Sequence, residues 1–264
     1  MSLFRRIRAS LRAFFPRRYT WPALDILLPG GQDLHLVGSI HMGTRDMSPL
    51  PDGLVKELKK ADALVVEADI SGSESPFTDT GTPPTLEERL DAAQFAELER
   101  YAGELDLPLS MLQTLPLWQI AMVLQATQAQ RLGLRGDYGI DYQLLHLARA
   151  RQLPVIELEG AQSQVALLRR LPEEGKLLLD DTLTHWHTNA RLLQTMIGWW
   201  LNAPPAEERL ALPSTFSESL YDVLMNERNQ AWCTMLNALP PGRYVVAVGA
   251  LHLYGEGNLP SLLR

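Results

Sequence analysis

Four apolar runs in this sequence end on ionisable residues. His41 follows Leu34-His35-Leu36-Val37-Gly38-Ser39-Ile40, and Glu67 follows Ala63-Leu64-Val65-Val66. Glu157 and Glu159 stand at the end of Pro154-Val155-Ile156, and His252 follows the long run Tyr244 to Leu251. If such runs are parallel strands, their carboxyl ends gather loops around a crevice, which is where ligands bind in open sheets. Two of the runs share a motif. Gly38-Ser39-Ile40-His41 and Gly249-Ala250-Leu251-His252 are both Gly-x-x-His, and Leu-Pro-x-x-Leu follows each, at 50–54 and 259–263. The repetition suggests two related halves whose histidines face one centre, with Gly38 and Gly249 permitting close backbone approach.

Two histidines and a carboxylate are the minimal donor set for a catalytic divalent metal with open positions. The candidate ligands are His41, Glu67 and His252, and a metal so held would make water acidic enough to attack near neutral pH. One strand-end histidine alone is more simply a hydrogen-bonded structural residue; the three groups together favour a functional centre. Strand alternation would aim Glu157 and Glu159 to one side. One could then be a general base and the other its support, and a solvated strand end accounts for them equally well. Arg228 shares a helical stripe with Leu220, Leu224, Ala231 and Met235, where a core residue is expected. A buried arginine needs a carboxylate or an anionic ligand. It could clamp a substrate carboxylate or an oxyanion, or pair structurally with Glu157, Glu159 or Asp141. Asp141 itself stands where a helix N-cap is wanted.

Two strands, 23–28 and 33–40, flank the turn Pro29-Gly30-Gly31. A helix over 51–61 leads to a buried strand at 63–66, and this order suggests that the 33–40 and 63–66 strands pair in parallel. Residues 71–84, rich in Ser, Gly, Thr and Pro, read as a mobile loop or lid. Helical patterning dominates 85–130, with one helix running from Pro116 to Gly133. A helix at 141–151, a short strand at 154–159 and long helical patterns at 161–201 and 215–238 precede the final apolar run. The expectation is one α/β domain over 19–264, with a helical insertion at about 85–135.

The chain has 264 residues, 46% hydrophobic and 21% charged, which excludes wholesale disorder and low-complexity architecture. Its single cysteine, Cys233, excludes an internal disulfide and a cysteine zinc site, so any metal must be held by nitrogen and oxygen. The net charge of −7 hides an asymmetry: residues 1–18 carry six arginines and no acid, leaving 18 basic against 31 acidic residues elsewhere, or −13. A body that acidic would repel nucleic acid. The leader's arginines break up the apolar stretch a secretory signal needs, and no run reaches the length of a membrane span. The expectation is therefore a cytoplasmic protein. Leu3, Ile7, Leu11 and Phe14 recur at helical spacing, so residues 1–18 read as a basic amphipathic leader helix. Its residues 3–18 could touch an anionic surface, peripheral to the inner membrane, or pack on the acidic body.

Six segments carry a resemblance: Gly38-Ser39-Ile40-His41-Met42-Gly43, Val65-Val66-Glu67-Ala68-Asp69, Tyr138-Gly139-Ile140-Asp141, Val155 to Glu159, Glu227-Arg228-Asn229 and Val248 to Leu253. Together they resemble the TraB/GumN family, whose wider group includes the animal Tiki proteases, from about Trp21 onward. The resemblance implies a Tiki-type α/β fold, a mixed sheet core flanked by helices. It implies metal-dependent peptidase chemistry with Mn or Co, and Zn also suits the donors. It assigns His41, Glu67 and His252 to the metal, with Arg228, Asp141, Glu157 and Glu159 supporting and Gly38, Asn229 and Gly249 inside the matching motifs. Some family members restrain peptide pheromones, so a non-catalytic protein sequestering a peptide or small molecule is the alternative. Metal-free ester hydrolysis through a histidine base is a third. Many relatives carry a secretion signal or membrane segment; this sequence shows neither.

Overall fold

A computed structural model describes residues 18–69, 84–206 and 210–264. The expected leader helix, Arg18 apart, and nearly all of the 71–84 loop lie outside these residues. Five strands form one mixed sheet: β1 (Ala23–Leu27), β2 (Gln32–Ser39), β3 (Ala63–Val66), β4 (Val155–Glu157) and β5 (Gly242–Gly249), in the order β1-β2-β5-β3-β4. β1 is antiparallel to β2, whereas β2, β5, β3 and β4 run parallel. The β1–β2 hairpin closes where Leu28 N–H donates to Gln32 O at 2.9 Å, with Gly31 at φ +96° supplying a conformation that suits glycine.

The expected pairing of the second and third strands is corrected by this order. They are parallel, but β5 lies between them, with Leu36 opposite Val246 and Val65 opposite Val246 from the other side. Sequence adjacency favours neighbouring strands. Here the most continuously apolar strand, buried from Tyr244 to Val248, takes the centre instead.

Period-two alternation sorts the side chains of the sheet between two cores. Val37, Leu64, Val66, Val245 and Ala247 join one, covered by α1 (Asp52–Lys59) and, further on, by the helices Ile140–Ala150 and Trp186–Leu201. Leu34, Leu36, Val65, Val246 and Val248 join the other, with Trp232, Leu236 and the terminal helix Leu259–Leu263. A third core lies away from the sheet. It holds Leu98 and Tyr101 of α2 (Ala92–Glu104) and Trp118, Ile120 and Leu124 of α3 (Leu117–Arg131). Val165, Leu179, Leu183 and Leu220 also contribute, so the 85–135 helices pack against segments much later in the chain.

The remaining helices are α4 (Ile140–Ala150), α5 (Ala161–Arg169), α6 (Lys176–Thr184), α7 (Trp186–Leu201) and α8 (Glu227–Ala238). The single helical pattern read over 161–201 is three helices, interrupted first at Glu173, Glu174 and Gly175, all with positive φ, and again at His185. A π-helical turn, Asp222–Asn226, runs into α8. Its wider turn rotates the buried stripe. Beyond Arg228 the buried residues are Asn229, Trp232 and Leu236, while Met235, expected on that stripe, is 39% exposed. No helix among the described residues is long and apolar enough to cross a membrane.

Candidate active site

The parallel strands bring their carboxyl ends to one edge of the sheet. β2 ends at Ser39, two residues before His41; β3 ends one residue before Glu67; β4 ends on Glu157. Ser39 is paired with Gly249, so the two Gly-x-x-His motifs leave adjacent strands one residue apart in register. His252 is not at a strand end as read from the apolar run: β5 stops at Gly249, and His252 sits on the one-turn helix Ala250–Leu253. A continuous apolar run does not by itself distinguish a strand from a helix. A Cβ on Gly38 would approach Ala250 Cα to 3.2 Å, so glycine there admits this turn.

His252 is buried and fully oriented. Asn229, on α8, donates from Nδ2 to Gly257 O at 3.1 Å, which leaves its Oδ1 to accept from His252 Nδ1 at 2.7 Å. The His252 proton therefore sits on Nδ1, and Nε2 carries a lone pair. Burial pushes the His252 pKa down to about 4, against the pull of Glu67, so the ring is neutral at pH 7. The indole of Trp232 packs 4.4 Å from it, centroid to centroid.

His41 has the corresponding arrangement in a wetter place. Its Nδ1 donates to Asp141 Oδ2 at 2.9 Å; the His41 side chain is 62% exposed and the Asp141 side chain 6%. Asp141 is not the N-cap expected from sequence. Gly139 takes that position, and Asp141, in the first turn of α4, turns its carboxylate to His41. Two close approaches fix this geometry. Ile140 N–H donates to Ile40 O at 2.9 Å, and a Cβ on Gly139 would lie 2.2 Å from His41 O. The Asp141 charge is the main reason the His41 pKa is raised, to about 9.

Glu67 is buried with its charge. Its Oε1 accepts from Gly249 N–H at 2.6 Å, and its Oε2 accepts from Arg228 Nη2 at 2.6 Å and from Gln164 Nε2 at 3.3 Å. Burial alone would raise its pKa, but Arg228, His252 and His41 outweigh that and hold it at about 2. Arg228 also donates from Nε to Glu159 Oε1 at 2.7 Å, from Nη2 to Glu159 Oε2 at 3.2 Å, and from Nη1 to Leu224 O at 3.2 Å. Its guanidinium lies 4.6 Å from the Trp232 ring centroid, and its Nη1 is 3.3 Å from His252 Nε2. Burial opposes its charge, while Glu67 and Glu159 together raise its pKa. Of the ion pairs weighed from sequence, the structure contains the one with Glu159.

The strand ends at Glu157, so alternation does not carry on to Glu159, and the two glutamates take different partners. Glu157 Oε1 accepts from Asp69 N–H at 2.6 Å, holding the chain just after Glu67. The backbone N–H groups of Glu159 and Gly160 donate to Glu67 O at 3.0 and 3.1 Å. Sequence reading missed Gln164, the Gly249 N–H and Trp232. Only Trp232 left a signal, four residues after Arg228 on one helix face.

The donors fit a divalent ion in type: His252 already offers a lone pair at Nε2, whereas His41, its pKa raised to about 9, would have to release its Nε2 proton to bind one. Each histidine has Nδ1 tied to a side-chain oxygen, the arrangement that orients metal-ligating imidazoles, and Glu67 supplies an ionised carboxylate. Among the described residues, however, no group of three His, Cys, Asp or Glu side chains is gathered as a ready metal site. Arg228 lies against both Glu67 and His252.

A model of the TraB/PrgY/gumN family matches residues 26–264. The uncharacterized protein YbaP of Escherichia coli (strain K12) is 61% identical over 264 residues, covering 100% of each chain. The uncharacterized protein YbaP of Shigella flexneri matches at the same 61% identity and coverage. No solved structure matches the chain.

Proposed function

This chain belongs to the TraB/PrgY/gumN family, and from that premise and its crevice we propose that it is a metal-dependent hydrolase that cleaves peptide bonds. One observation carries the reading: both Gly-x-x-His histidines leave adjacent parallel strands with Nδ1 held by a side-chain oxygen, beside the ionised Glu67. His41 Nε2, His252 Nε2 and Glu67 would hold the ion, with Mn or Co favoured and Zn suited to the same donors. When bound, such an ion acidifies water and polarises a carbonyl. Arg228 is placed to stabilise negative charge developing on the substrate. Glu159 is committed to Arg228, so the proton-accepting role is assigned to Glu157, which forms no ion pair with the described residues. Asp141 and Asn229 orient the two histidines. The same proposal takes the sheet as a Tiki-type core. It takes β2 and β5 as repeated units, supported by the helix that starts within each Leu-Pro-x-x-Leu segment. It also places the protein in the cytoplasm, with residues 3–18 at the inner membrane surface.

Digestion of a peptide library with added Mn²⁺, Co²⁺ or Zn²⁺ tests the activity. Metal-dependent products that vanish in Glu67→Ala are expected; no products with any ion would contradict hydrolysis. The Arg228 contacts favour a second reading, in which the same crevice sequesters a peptide or small molecule without turnover. Binding of intact library peptides with no cleavage would select it.

A further inference from the structure

We propose that Arg228 is a displaceable cation that competes with the metal for Glu67, and that Glu159 is the positioning residue that sets the strength of that competition. The inference rests on the metal reading of His41, Glu67 and His252 and deepens it. Arg228 Nη2 is 2.6 Å from Glu67 Oε2, and Nη1 is 3.3 Å from His252 Nε2. These are two of the atoms a metal would need, and a guanidinium and a metal ion cannot both use the same lone pairs. Arg228 has a second carboxylate to keep. Its Nε and Nη2 meet Glu159 Oε1 and Oε2 at 2.7 and 3.2 Å, a forked pairing of the strong, geometrically specific kind.

Glu159 is itself anchored to the residue under competition, because its N–H donates to Glu67 O at 3.0 Å. The Trp232 ring lies against the guanidinium, 4.6 Å from its centroid, and gives the cation a further hold independent of Glu67. Nη2 can therefore leave Glu67 while Nε stays on Glu159, and the buried charge remains paired throughout. Without Glu159, Glu67 would be the one carboxylate among the described residues left to pair the guanidinium, which would then resist displacement more strongly.

The test is Mn²⁺ affinity by calorimetry on the full chain stripped of metal, for wild type, R228Q, E159Q, the R228Q/E159Q double variant and H252A. R228Q is expected to tighten Mn²⁺ binding about tenfold and E159Q to weaken it severalfold, sizes usual for residues in direct contact. In the R228Q background, E159Q is expected to change nothing, because Glu159 acts through Arg228. An E159Q effect that persists there, or R228Q binding no tighter than wild type, overturns the competition. Binding absent from both wild type and R228Q, or unaltered in H252A, overturns the metal reading itself. Arginine side-chain NMR of the wild type keeps the idea testable if R228Q does not fold. Adding Zn²⁺ should shift the Arg228 Nη resonances and leave Nε–H in place; unshifted Nη resonances at saturation would refute displacement.

Discussion

Asp141 sets the charge state of His41 across a 2.9 Å contact. Asp141→Asn should bring the His41 pKa down from about 9 toward its ordinary 6.5, read by NMR titration of the histidine ring; an unchanged midpoint would show that Asp141 is not the cause. Because the His41 pKa is raised, its contribution to stability is complete below about pH 6.5 and fades as pH rises through about 9. Glu67 and His252 act in the opposite direction. His252, depressed to about 4, contributes above pH 6.5 and loses that contribution as pH falls toward 4. Glu67, depressed from 4.5 to about 2, loses its own between those values, about 3 kcal/mol in all. Denaturant unfolding should therefore weaken in two stages on acidification, and Glu67→Gln should remove the lower one. A lower stage that survives in that variant would refute the assignment. At this scale the meeting of His252, Glu67 and Arg228 was legible, because an ionisable residue ending an apolar run, or an arginine in an apolar helical stripe, is conspicuous. Gln164 and the Gly249 N–H were not, since an ordinary glutamine on a helix and a backbone amide leave no pattern.

The elements place these groups through close backbone contacts. The turn after β2 and the start of α4 meet with no room for a side chain: a Cβ on Gly139 would stand 2.2 Å from His41 O. Gly139→Ala should push α4 away from Ile40 and break the His41–Asp141 hydrogen bond. It should lower stability by about 1–3 kcal/mol, the usual range for overpacking, and return the His41 pKa toward 6.5. A melting curve and the same ring titration check both, and an unmoved pKa would show that this contact does not position the dyad. Most strands and helices were readable from periodicity and punctuation, including the hairpin at Gly30-Gly31 and the helix after Pro116. The π-helical turn before α8 was not readable, because an extra residue in a turn shifts the phase of a stripe without changing its composition. The switch from β5 to helix at Ala250 was hidden for a related reason, since Tyr244 to Leu251 is apolar throughout.

At the scale of the whole molecule, the sheet order decides the chemistry. Inserting β5 between β2 and β3 sets the Gly249 N–H against Glu67 and brings the two histidine motifs side by side. That order could not be read from the sequence, since β5 is more than 170 residues from both of its partners. The charge split was legible, and every candidate site residue lies in the acidic body. Deleting residues 2–18 should leave Mn²⁺ affinity within about twofold, the scatter expected for an independent segment; loss of binding would place the leader in the site. Whether His41 and His252 hold a metal is read from the metal content of purified protein after loading with Mn²⁺ or Co²⁺. Wild type should retain close to one ion per chain, the stoichiometry of a single catalytic site, and the His41→Ala/His252→Ala variant should retain almost none. Equal metal in the two proteins would contradict that assignment.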